Sequence, residues 1–186
     1  MARTDWTMRA ITRAMLPVLL VLTTIEIGSG LVLKSFEGEL LTHPSLLVLV
    51  PVTIGTAGNL GSILAARLST AFHLGTLSFD LTDDRLLGNA LATVALALSV
   101  FPVIGVGAWG LGTLTGGSDL AVTTVLTVAV TSGAVLSVLA IVVTVVATYV
   151  AYRLELDPDD VVIPVVTNVC DVLGVVVLFV VVQMFV

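Results

Sequence analysis

Asp171 is the only formally charged residue between Val161 and Val186, in the stretch VVIPVVTNVCDVLGVVVLFVVVQMFV. That stretch is long and apolar enough to cross a bilayer. A carboxylate near the middle of a span costs roughly 2.5–3.5 kcal/mol even on the lenient insertion scale, so its default use is in an ion or substrate pathway. Offsets of three and four residues put Thr167, Asn168 and Asp171 on one helix face, with Pro164 and Gly174 nearby. Hydroxyl, amide and carboxylate are oxygen donors, and hard divalent cations such as magnesium and calcium prefer oxygen. Pro164 removes one backbone hydrogen bond and can leave a carbonyl to face a cavity. The alternative is a structural aspartate, protonated or bonded to a neighbouring helix.

A second polar cluster lies in PVTIGTAGNLGSILAARLST. Thr56, Asn59 and Ser62 share a face there, while Gly55, Gly58 and Gly61 thin the helix. Small residues at such spacing let helices pack closely. They do not account for Asn59, whose amide must be satisfied inside the membrane, so Asn59 reads as lining a path. Glu26, beside Thr23 and Thr24, lines the same path, pairs with another helix, or is protonated. Glu37 and Glu39 stand at the far end of the first apolar run, where Glu37 can gather cations at an entrance. Arg67 reads as an interfacial anchor or a partner for a loop carboxylate, since beside a pathway it would repel cations. Asp80, Asp83, Asp84, Glu155, Asp157, Asp159 and Asp160 could bind cations at the opposite mouth, but helix capping and solubility explain most of them. His43 and His73 have no partner at metal-ligand spacing along the chain, so no zinc site is expected. Cys170 turns about 100° away from Asp171 on a helix and reads as packing. No H-E-x-x-H, G-x-S-x-G or phosphate-loop motif occurs, so an enzyme is not expected.

The elements that must position these residues are membrane helices. Hydrophobic residues are 58% of the chain and charged ones 11%, and the mean hydropathy is +1.18. A water-soluble domain could not hide that much apolar surface. At ~20 residues per span, the 186 residues hold five spans and short connections. They are expected at about 14–36, 44–70, 86–111, 120–152 and 160–186, after a cytoplasmic segment over 1–13. The net charge of −6 and a single lysine, Lys34, argue against nucleic acid as a partner. With the N-terminus in the cytoplasm, Arg3, Arg9, Arg13, Arg67, Arg85 and Arg153 all fall on the cytoplasmic side, leaving Lys34 outside. This positive-inside pattern places the C-terminus outside. An odd number of spans cannot form two equal halves, so a pore with internal symmetry needs a second copy of the chain.

These residues resemble the membrane domain of the MgtE family of magnesium channels and transporters, over most of the chain from the first span onward. Ser35-Phe36-Glu37-Gly38 is similar to the Phe-Glu ending the family's first helix. Val50-Pro51-Val52 followed by Gly55-Thr56-Ala57-Gly58-Asn59 resembles its second-helix signature, and Asp157-Pro158, Pro164, Asp171 and Gly174 resemble its fifth. The run from Gly58-Asn59 to Arg67-Leu68-Ser69-Thr70 is similar to the animal magnesium solute carriers, which carry two such domains per chain. Ile163 stands where the family often has asparagine before the fifth-helix proline. The resemblance implies an all-α polytopic homodimer in the cell membrane, multi-pass, with 14–186 as the MgtE-like domain and a pore near the two-fold axis. It implies Mg2+ as the transported ion, with Mn2+ or Co2+ as further candidates. The resemblance carries over Asp171 as the central metal ligand; in the reading of the residues, Asn59 and Thr167 or Asn168 orient its waters and Glu37 attracts cations at the outer mouth. The rival readings are a proton- or sodium-coupled carrier of another cation, and a scaffold subunit that transports nothing.

Overall fold

The computed structural model describes residues 7–76, 83–116 and 120–186. Arg3 and Asp80 lie outside them. Among the described residues every regular element is helical: α1 (Met8–Ser35), α2 (Glu37–Thr42), α3 (Pro44–His73), α4 (Asp84–Gly116), α5 (Val122–Arg153) and α6 (Pro158–Phe185). All but α2 are long and apolar enough to cross a membrane, which makes five candidate spans. At 1.5 Å per residue, 28 residues reach about 42 Å, more than the ~30 Å hydrocarbon core.

The helix ends follow from local chemistry. Thr7 caps α1, its hydroxyl oxygen accepting from the Ala10 N–H at 3.3 Å. Asp83 accepts from the backbone of Arg85 and Leu86 at 2.7 and 3.3 Å at the start of α4. Asp157 accepts from the Asp159 N–H at 3.0 Å, and Pro158 follows in the first turn of α6, where its missing N–H is not needed. Helix α3 ends on Gly75 at φ 63°, with Gly75 and Thr76 N–H groups donating back to the Phe72 and Ala71 carbonyls. That left-handed turn is one glycine adopts without steric cost. Helix α5 ends in the same pattern on Glu155 at φ 54°, a conformation that an L side chain resists.

Helices α3, α5 and α6 pack on one another and form the centre, and α4 leans on α3 and α5. Among the described helices, α1 touches only α6 and the short α2. Much of α1 is therefore an uncovered apolar surface, with Leu20, Ile27 and Leu31 all more than 60% exposed. Inside the spans many hydroxyls bond to carbonyls three or four residues back, as Thr24 does to Leu20, Ser99 to Ala95 and Thr148 to Thr144. This satisfies them where no water is at hand.

The first span begins earlier than the expected 14–36, and the others depart from expectation by a few residues at their ends. Helix α2 was not expected: Phe36 breaks the first helix and starts this short one. The Phe36 ring packs against Phe179 of α6 with centroids 5.0 Å apart, which ties this corner to the bundle.

Candidate cation site

Helices α3 and α6 meet closely at Asp171. A Cβ at Gly58 would collide with Asp171 Oδ1 and would stand 3.1 Å from its Cγ and 3.3 Å from Thr167 Cγ2. One turn on, a Cβ at Gly61 would come within 2.8 Å of both Cys170 Sγ and Val166 Cγ1. Glycine on α3 is thus what admits the Asp171 side chain between the two helices. Both faces of that contact come from the two motifs singled out in the sequence.

Asp171 is half-buried, and its Oδ1 is buried without a hydrogen-bond partner. The other buried polar side-chain atoms in that condition are on Thr53, Ser132, Thr144 and His43. A hydroxyl can turn to a helix carbonyl at small cost. An ionised carboxylate oxygen can only accept, and inside a helix the backbone N–H groups are already taken. Asp171 Oδ1 therefore calls for a cation, a proton or a donor from outside the described protomer. An unpaired buried acceptor of this kind costs about 1–3 kcal/mol, and more when charged.

Two neighbours each turn a donor onto their own helix. The Thr167 hydroxyl donates to the Ile163 carbonyl at 2.8 Å, and the Asn168 amide N–H donates to the Pro164 carbonyl at 2.9 Å. Thr167 is left with oxygen lone pairs and Asn168 with its Oδ1 acceptor and a second N–H; the oxygens are the ends that suit a cation or its waters. Asn59 directly follows Gly58 and is exposed on the single protomer. Asp171 and Thr167 thus meet α3 at Gly58, with Asn168 on the same stretch of α6 and Asn59 next to Gly58 along α3. Glu26 of α1 is half-buried and within electrostatic reach of Asp171. Glu37 is not at this site. It is exposed at the start of α2, and its neighbour Phe36 rests on Phe179, about 12 Å further along α6 than Asp171.

Among the described residues Arg67 is held to α4 by an amide. Its Nε donates to Asn89 Oδ1 of α4, and Asn89 donates in turn to the Arg85 carbonyl at 2.8 Å. Cys170 is buried against α3, as packing requires. Sequence spacing missed one convergence: His73 meets Asp157 and Asp159 at the other end of the α3–α6 contact. These residues are far apart along the chain, so no local pattern could reveal them.

An all-helical, multi-pass membrane protein with an unpaired carboxylate oxygen between two spans has the form of an ion transporter. The chain belongs to the MgtE family of divalent cation transporters, whose family model matches residues 50–181 and so takes in both halves of the groove. No curated protein matches the chain.

Proposed function

We propose that the chain carries magnesium across the cell membrane as a homodimer, with Asp171 of both copies facing one ion near the two-fold axis. The observation that carries this reading is the buried, unpartnered Asp171 Oδ1 held in place by Gly58. Two carboxylates match the charge of one dication. Magnesium gives up its water reluctantly, so few direct protein ligands are needed. Asn59, Thr167 and Asn168 then orient the waters that remain on the ion. Glu37, away from the site on an exposed corner, raises the cation concentration at the outer mouth. The domain over 14–186 forms this path, with the N-terminus cytoplasmic and the C-terminus outside, as the arginine distribution favours. The membrane potential supplies about 2.3 kcal/mol per charge per 100 mV to inward movement.

The test is magnesium flux into liposomes holding the purified protein under an imposed potential. Wild type is expected to conduct, and Asp171→Asn to lose at least about tenfold, equivalent to roughly 1.4 kcal/mol, while remaining folded. Unchanged flux in a folded Asp171→Asn protein would remove the central site. No wild-type flux of magnesium, manganese or cobalt, with or without proton and sodium gradients, would move the reading to a scaffold subunit.

A further inference from the structure

At the junction where α3 ends and α6 begins, His73, Asp157 and Asp159 bring their ligand atoms within 4.8 Å of one another. His73 closes α3, Asp157 caps α6 and Asp159 lies in its first turn. The arrangement of hydrogens around the imidazole follows from its neighbours. Ser69 is buried, and its hydroxyl has a single proton, which it donates to Asp159 Oδ1 at 2.6 Å. His73 Nδ1 stands 3.0 Å from the Ser69 carbonyl oxygen and 3.4 Å from the Ser69 hydroxyl oxygen. Both are acceptors toward it, so Nδ1 carries the proton. Nε2 is then left facing Asp157 Oδ1 at 3.7 Å.

Two lone-pair-bearing atoms at this separation repel one another, and a proton or a metal ion between them turns that repulsion into attraction. A hydrogen bond from N to O is normally 2.7–3.2 Å, shorter than the separation here. Two ligands that each stand about 2.1 Å from one ion are roughly 3–4 Å apart, a range that includes the observed 3.7 Å. An Nδ1–H bonded to a backbone carbonyl is also how metal-binding histidines are commonly oriented. The two carboxylates retain lone pairs beyond those given to the Asp159 N–H and the Ser69 hydroxyl.

We propose that His73 Nε2, Asp157 and Asp159 bind a divalent transition-metal ion of the manganese, cobalt or zinc type, with Ser69 orienting the histidine and Asp159. Imidazole selects that class over magnesium and calcium, which prefer all-oxygen ligands. The site is about 18 Å along α6 from Asp171 at 1.5 Å per residue, so it is separate from the groove. An ion here ties the end of α3 to the start of α6, the two helices that carry Gly58 and Asp171.

The probe is Mn2+ added to untagged protein in detergent, read by pulsed electron paramagnetic resonance for coupling to an imidazole nitrogen. Wild type is expected to show that nitrogen coupling, and His73→Gln to lose it with Mn2+ affinity lowered at least about tenfold. Asp157→Asn keeps a good helix cap and is expected to weaken Mn2+ similarly, which guards against a folding defect in the histidine variant. Asp171→Asn is expected to keep the coupling, so failure of the transport reading and failure of this site are told apart. Absence of nitrogen coupling in wild type, or its persistence in His73→Gln, overturns the proposal.

Discussion

Asp171 depends on a residue without a side chain. Gly58 sits where any Cβ would meet the carboxylate and the Thr167 methyl group. Gly58→Ala is therefore expected to push Asp171 out of its place, lower magnesium flux several-fold and cost about 1–3 kcal/mol through overpacking. Gly61→Ala provides the comparison. It crowds Cys170 and Val166 instead, so it should lower the melting temperature while sparing flux far more than Gly58→Ala. Paired melting curves in detergent and flux measurements in liposomes check both. Equal flux in the two variants would count against Gly58 as the residue that positions the carboxylate.

At the scale of elements, α3 and α6 hold the groove, while α3 and α5 close with different residues in one kind of turn. Helix α3 ends on glycine, helix α5 on Glu155 in the same left-handed turn. The non-glycine residue pays no obvious return there, because Glu155 is exposed. Glu155→Gly is accordingly expected to stabilise the protein by about 1 kcal/mol, seen as a higher melting temperature with flux unchanged. Placing alanine at Gly75 should do the reverse, since its φ of 63° is strained for any side chain. The connection α5–α6 matters to the site for a simple reason: it leads directly into Asp157, the cap from which α6 and Asp171 take their register.

At the scale of the molecule, the described residues hold five candidate spans, an odd number, with α1 almost wholly uncovered. A second copy is the simplest way to enclose Asp171 and Asn59 between protomers. Native mass spectrometry in mild detergent is expected to give twice the chain mass. Orientation is read by cysteine labelling in a Cys170→Ala background. With the N-terminus inside, a cysteine replacing Glu39 should react with an impermeant reagent in intact cells, and one replacing Glu155 only after permeabilisation. Both positions are exposed, so access to the residue does not limit the reaction. The opposite labelling pattern would reverse the proposed orientation.

Much of this protein was legible before any coordinates. Hydropathy along the chain is a local property, so the five spans and their approximate limits could be read from composition alone. Asp171 stood out because a carboxylate within an apolar run is expensive wherever the run goes. Thr167, Asn168 and Asp171 shared a face through helical periodicity, which is equally local. The partner of that face was not readable: only packing showed that Gly58 admits Asp171 Oδ1 and that the Thr167 and Asn168 donors turn onto their own backbone. Glu37 read as an entrance residue by charge and position, and the short α2 with the Phe36–Phe179 contact that fixes its corner came only from packing. His73 with Asp157 and Asp159 was invisible for the same reason. Spacing along a chain records which residues share a helix, whereas a site built across two helices exists only once their crossing has been decided by close packing.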